Sequence, residues 1–120
     1  MKASEIIKAD AVKRKIDPDK ALRTVSALVK AKSAVLMQES DSVLLVRKIN
    51  PTSAEIHLFT EDNPRTLAKA VIGFVRRGKA LGIKTVYGKA DNKGIVELMK
   101  RLGLDVQASD LQQYNWKAQI

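Results

Sequence analysis

Apolar and polar positions follow two different periods along this chain of 120 residues. Between 34 and 60 the pattern suits strands, in three runs: "AVLMQ" (34–38), "SVLLVRKI" (42–49) and "AEIHLFT" (54–60). Elsewhere apolar residues recur every three or four positions, the spacing of one helix face. Ile6, Ile7 and Val12 give a short first helix over 4–15 its apolar side, and Leu22, Val25, Leu28 and Val29 do so for a second. Leu67, Val71, Phe74 and Val75 mark a long third helix, and Ile95, Leu98, Met99 and Leu102 a fourth over 93–102. A strand is expected at "IKTVYGKA" (83–90), with one or two closing strands within "LDVQAS" (104–109) and "QQYNWKAQ" (112–119).

Punctuation agrees with the periods. Asp17 and Asn63 suit N-caps, each followed by a proline whose missing N–H costs nothing at the first helical position. Gly82 and Gly103 suit the left-handed position just past a helix. Asn92 or Asp91 would cap the fourth helix. "ESDS" and "NPTS" are turn chemistry, and gaps this short force antiparallel neighbours. Helices between the later strands imply crossovers, hence some parallel pairing. The expected class is α/β (α+β), with a mixed, mostly antiparallel central sheet flanked by helices. The expected organisation is one domain over 1–120, with a helical N-terminal region at 1–32 and a sheet-and-helix core at 33–120.

Composition narrows the chemistry. There is no cysteine, so disulfides, thiolate metal sites and a cysteine nucleophile are excluded. With one histidine, a zinc site has too few ligands of the usual kind. No apolar run reaches the roughly 20 residues of a membrane span, and the first fifteen residues hold no long apolar stretch of the secretory kind. The expected location is cytoplasmic. The net charge of +9 is concentrated: residues 1–32 hold nine basic and four acidic side chains, and 61–103 hold ten and four. Such a surplus serves either as solvated helix faces or to attract a phosphate-bearing partner.

The segment "ADNKGIVELMKRLGLD" (90–105) resembles a signature of the GNAT-type N-acetyltransferase superfamily. That signature reads Asn, two residues, a small or apolar pair, Leu-Tyr, then Gly-Phe at the helix end. Here Asn92 is followed at matching spacing by Ile95 and Val96, Leu98 and Met99, Gly103 and Leu104. The element order also resembles that family, minus its usual first strand. The resemblance implies a GNAT-like acyl-CoA N-acyltransferase fold, acetyl-CoA as cofactor, and Asn92 as a holder of the pantetheine arm beside its capping role. The family's pyrophosphate signature, Arg or Gln, two residues, Gly, one residue, Gly or Ala, is matched in part by Arg65-Thr66-Leu67-Ala68-Lys69-Ala70. Free N–H groups and the dipole of a helix start attract anions. The resemblance therefore gives Arg65, Thr66, Leu67, Ala68 and Lys69 to the phosphates, although the same residues also describe an ordinary basic helix start.

Two departures stand out. Ala68 replaces a glycine of the cradle, and Met99 replaces the tyrosine that many family members use to protonate the departing thiolate. Tyr87 and Tyr114 are the remaining hydroxyl donors of that type, with a core or interface role as the alternative. A base is needed for the incoming ammonium. Alternation along "AEIHLFT" puts Glu55, His57 and Phe59 on one face and Ile56 and Leu58 on the other. His57, the one histidine, and Glu55 are the candidates; a sheet histidine bonded to a neighbour is the alternative for His57. The resemblance further assigns the backbone of Phe59 and Thr60 to the cofactor's amide arm.

Three functions follow in order. The first is transfer of an acyl group from coenzyme A to an amine-bearing substrate, with the basic N-terminal region favouring an acidic acceptor or an acidic protein surface. The second is a GNAT-fold interaction protein without catalysis. The order of "IHLFTEDNP", "VYGKADN" and "GLD" is similar to small GNAT-like proteins of tailed bacteriophages, which would make the partner a host protein and the location host cytoplasm. Nucleic-acid binding is third: the charge is present, but aromatic interleaving and any DNA-reading motif are missing. The acyl group, the acceptor and the oligomeric state have no signature in the chain.

Overall fold

The computed structural model describes residues 1–89 and 93–120, the side chain of Lys93 excepted. Ten elements follow in chain order: α1 (Ala3–Lys13), α2 (Pro18–Lys30), β1 (Val35–Glu39), β2 (Ser42–Asn50), β3 (Ser53–Thr60), α3 (Pro64–Ala80), β4 (Thr85–Gly88), α4 (Lys93–Arg101), β5 (Asp105–Ala108) and β6 (Trp116–Gln119). They form a six-stranded sheet ordered β1-β2-β3-β4-β6-β5. Every pairing is antiparallel except β3 with β4, the pair joined by the α3 crossover. The mixed, mostly antiparallel sheet flanked by helices is therefore the observed architecture.

Local chemistry sets the helix ends. Asp17 accepts from the N–H groups of Asp19 and Lys20, and Asn63 from that of Thr66. Gly82 (φ +83°) and Gly103 (φ +85°) sit in the left-handed region beyond α3 and α4, where a side chain would strain the backbone. The carboxylate of Asp62 ties the β1–β2 turn to the lead-in of α3. It accepts from Ser42 Oγ (2.6 Å), Ser40 Oγ (3.0 Å) and the Asp41 N–H (3.2 Å).

Strand alternation divides the core. Leu44, Val46, Ala54 and Leu58 pack with Val71 and Phe74 of α3 and with Ile95 and Met99 of α4. On the opposite face Val43 and Phe59 pack with Ile6, Ile7 and Val25 of α1 and α2. Two apolar assignments fail. Val12 and Val29 are exposed, because α1 buries Ile6, Ile7, Asp10 and Ala11, a stripe on the opposite side of the helix from Val12, and α2 buries only Val25. Burying Asp10 where a hydrophobe is expected follows from its partners on β3, described below.

β4 is shorter than its apolar run suggests, and its end is fixed from the β6 side. The Asn115 N–H donates to the Gly88 carbonyl (2.9 Å), and Trp116 Nε1 donates to the Lys89 carbonyl (3.2 Å). The indole lies so close that a Cβ on Gly88 would sit 2.2 Å from Trp116 Cζ2. Gly88→Ala should therefore displace the indole and cost about 2 kcal/mol, the usual scale of overpacking. Denaturant unfolding followed by the fluorescence of the single tryptophan measures both effects; unchanged stability with an unchanged native spectrum contradicts the close fit.

Candidate functional site

β3 and β4 pair only through Ser53–Thr85, Ala54–Val86 and Glu55–Tyr87. β3 continues to Thr60, and beyond Glu55 no strand among the described residues lies beside it on that edge. Backbone groups of an antiparallel strand alternate between its two sides. Two bonds show which residues face the gap. Arg14 Nη2 donates to the Leu58 carbonyl (3.0 Å), and the Thr60 N–H donates to Asp10 Oδ1 (3.2 Å). Leu58 and Thr60 thus point their backbone groups away from β2, while those of Phe59, between them, point toward it. The Leu58 N–H aims into the gap, beyond the last β3–β4 pair.

α1 supplies the side chains that replace a neighbouring strand. Asp10 and Arg14 are one turn apart, and Arg14 Nε lies 2.9 Å from Asp10 Oδ2. That contact is an ion pair without hydrogen-bond alignment, since Oδ2 has no aligned donor. Asp10 is 5 % exposed. A buried carboxylate is costly unless paired and hydrogen-bonded, and here the cation and the strand amide meet that need.

The gap opens into a cleft of about 100 Å³ whose lining includes Arg14, Glu55, His57, Lys89, Ile95 and Tyr114. Glu55 and His57 project from the same face of β3, as alternation requires. The Tyr114 hydroxyl donates to Glu55 Oε2 at 2.5 Å. Tyr114 reaches that position because the β5–β6 loop folds on itself: Ser109 Oγ accepts from the Leu111 N–H, and the Tyr114 N–H donates to the Leu111 carbonyl. Burial, then the bond to Glu55, pushes the Tyr114 hydroxyl up to about 12. Tyr87 packs beside it, ring centroids 5.5 Å apart, and donates to Asp110 Oδ1 (3.1 Å); burial raises this hydroxyl too. His57 is exposed and stacks obliquely on Phe59, centroids 4.6 Å apart.

On the other side of the sheet a groove runs between α3 and α4, lined among others by Thr60, Asp62, Leu67, Leu98 and Arg101. Ile95 borders both the groove and the cleft. The start of α3 adjoins this groove, with Arg65 and Lys69 exposed and Thr66, Leu67 and Ala68 half-buried. Its backbone donors are mostly used. Pro64 has none, the Thr66 N–H donates to Asn63 Oδ1 (2.9 Å), and the Leu67 N–H donates to the Asn63 carbonyl (2.9 Å). An anion at this helix start would meet the Arg65 N–H and the exposed side chains of Arg65 and Lys69 rather than a row of open amides, and in the groove it would meet Asp62 and Glu97 as well as Arg101.

The structure thus brings Glu55 and His57 together at the cleft, whereas of Arg65 to Lys69 only Leu67 lines the groove, the others lying along the same helix start. Phe59 is buried against α1, with its backbone turned to β2, and the Thr60 N–H is already bonded to Asp10. Asn92 lies outside the described residues. Met99 is buried in the core at 3 % exposure and has no proton to give. Sequence reading overlooked Arg14, Lys89 and Arg101 and left Tyr114 unplaced. The i,i+4 spacing of Asp10 and Arg14 was the one legible hint.

No protein-family model matches the chain, and no curated protein matches it in sequence. Solved structures do share its fold. An aminoglycoside 6'-acetyltransferase of type Ii superposes with TM-score 0.63 over 98 % of this chain and 85 % of its own, at 15 % identity. A spermidine N-acetyltransferase, SpeG from Vibrio cholerae, in mutant form, gives 0.62 over 97 % and 86 %, at 11 %. The N-acetyltransferase PseH from Campylobacter jejuni, solved with acetyl coenzyme A, gives 0.58 over 100 % and 92 %, at 16 %. These likenesses extend over most of each chain and show that its fold is the one these acetyltransferases have. No helix among the described residues is long and apolar enough to cross a membrane.

The tyrosine pair makes a direct prediction. Both raised values mean that the fold holds the protonated hydroxyls. For Tyr114 this stabilisation is complete below the ordinary value of 10.0 and fades as pH climbs from there to about 12. In the folded protein neither of the two tyrosines should ionise with a midpoint near 10.0, as read by tyrosinate absorbance. Tyr114→Phe should remove the later transition. A full two-tyrosine step near 10.0 in the folded protein contradicts the bonding to Glu55 and Asp110.

Proposed function

We propose that the protein is an acyl-CoA-dependent N-acyltransferase whose reaction takes place in the gap between β3 and β4. The observation that carries this reading is the edge of β3 beyond Glu55, beside which no strand lies among the described residues; it runs from a cleft bearing carboxylate and imidazole to a groove whose charged lining is Asp62, Glu97 and Arg101. An extended ligand with amide groups can pair with such an edge as an added strand would. Bound coenzyme A would supply the acyl thioester, the thiol leaving as the acyl carbon joins the amine nitrogen.

The chain's own residues divide the work. Arg65, Lys69 and Arg101 would hold the phosphates through charge. Thr66, Leu67 and Ala68 shape the start of α3 behind them, and Asn92 is proposed to hold the pantetheine arm. The Leu58 N–H is the donor placed to bind developing negative charge on the acyl oxygen. Glu55 or His57 would take the proton from the incoming ammonium. Tyr114 is protonated at neutral pH, so it orients Glu55 rather than acting as a base.

A second reading, a GNAT-fold interaction protein without catalysis, draws support from two features. Asn63 occupies amides at the α3 start, and Arg14 with Asp10 occupies part of the β3 edge. A source in a bacteriophage, with a host protein as partner, rests on the sequence resemblance alone.

A thermal shift separates the two. Ligand at about 100 times its Kd adds about 2.7 kcal/mol, which for 120 residues is a rise of about 10 °C in Tm. Acetyl-CoA should give a rise of this kind, and Arg65→Ala with Lys69→Ala should abolish it without lowering the Tm of the free protein by more than a few degrees. No shift at saturating acetyl-CoA removes the enzyme reading and leaves the interaction reading.

A further inference from the structure

A second space adjoins the cleft and plays no part in the scheme so far. It is a half-open cavity of about 60 Å³ between the sheet, α3 and α4, and its surface is almost wholly apolar. Val71 and Phe74 of α3 and Met99 of α4 form its far wall. Ile56, Leu58 and Ile95 line both this cavity and the cleft, so the two spaces meet at those three side chains. Leu58 also carries the backbone N–H that faces the gap.

Three observations bear on what the cavity is for. Protein cores normally pack to the density of organic crystals, with few voids larger than a water molecule. Water finds no polar partners on such a lining, and apolar cavities accept small apolar groups. Its position places it directly behind the donor proposed for the acyl oxygen. We propose that it receives the tail of the acyl group, and that the donor carries a short straight chain longer than acetyl. This inference rests on the coenzyme A reading above.

Size sets the chain length. A void of about 150 Å³ holds the six carbons of benzene, so about 60 Å³ takes about two or three carbons. With the thioester carbonyl at Leu58 and its first methylene in the gap, a butyryl group fills the space. An octanoyl group exceeds it. Met99 contributes to the selection: its unbranched side chain lines the cavity where the family's motif has tyrosine.

Calorimetric titration with coenzyme A, acetyl-CoA, butyryl-CoA and octanoyl-CoA tests the assignment. Two methylenes moved out of water predict butyryl-CoA binding about tenfold tighter than acetyl-CoA, with octanoyl-CoA weaker than butyryl-CoA. Val71→Ile, which takes up about one carbon's worth of the cavity, should cut the butyryl advantage severalfold and leave acetyl-CoA affinity within about twofold. Phe74→Leu, which enlarges it, should move the optimum to a longer chain. Equal affinity for acetyl and butyryl thioesters, or a butyryl preference indifferent to both substitutions, overturns this inference while the coenzyme A reading stands. Failure of every thioester and of coenzyme A itself to bind overturns both.

Discussion

One constraint organises the molecule: β4 runs beside β3 for only three residues before the two strands part. A parallel sheet is normally a continuous ladder, because an unpaired buried amide or carbonyl costs as much as a lost hydrogen bond. Here the break is held open from both sides. Trp116 and Asn115 fasten the end of β4 to β6. Asp10 and Arg14 reach from α1 to the bare edge of β3. Gly88 permits the first arrangement, and the burial of a charged helix position permits the second. The cleft, the apolar cavity and the junction marked by Ile95 all follow from that parting.

The same polar contacts that stabilise the gap also limit it. Arg14 holds the Leu58 carbonyl, and Asp10 holds the Thr60 N–H, so a ligand reaching beyond Leu58 must share or displace them. At the start of α3 the cap is equally complete, with Asn63 taking two N–H groups. Binding of a diphosphate there depends on side-chain charge more than on backbone amides, and charge of that kind is screened by salt. The site combines an open strand edge with a closed helix end.

Much of the architecture was legible in the chain. Periods of two and of three to four located all ten elements, and proline, asparagine and glycine fixed most of their ends. The antiparallel pairing of β1 to β3 and the presence of some parallel pairing followed from loop lengths and crossovers, but the strand order, with β6 between β4 and β5, did not. Packing partners were less legible, since periodicity gives a face but not what covers it: Val12 and Val29 fit an apolar stripe and yet face solvent, while Asp10 does not and is buried. For the candidate site, local alternation put Glu55 and His57 on one face. Tyr114 and Arg14 reach the cleft through contacts across 59 and 44 positions, which no local pattern encodes. The donors expected at Phe59, Thr66 and Leu67 are turned or taken by bonds that only the folded chain reveals. Asn92, the residue with the most specific motif, lies outside the described residues.

Residue-resolved amide hydrogen exchange, with and without acetyl-CoA, reads the central feature most directly. The account predicts that in the free protein the Leu58 amide exchanges much faster than that of Phe59, which pairs with β2, and that saturating ligand slows Leu58 while leaving Phe59 unchanged. Equal protection of the two amides in the free protein, or a Leu58 rate indifferent to ligand, would contradict an open strand edge that receives the substrate.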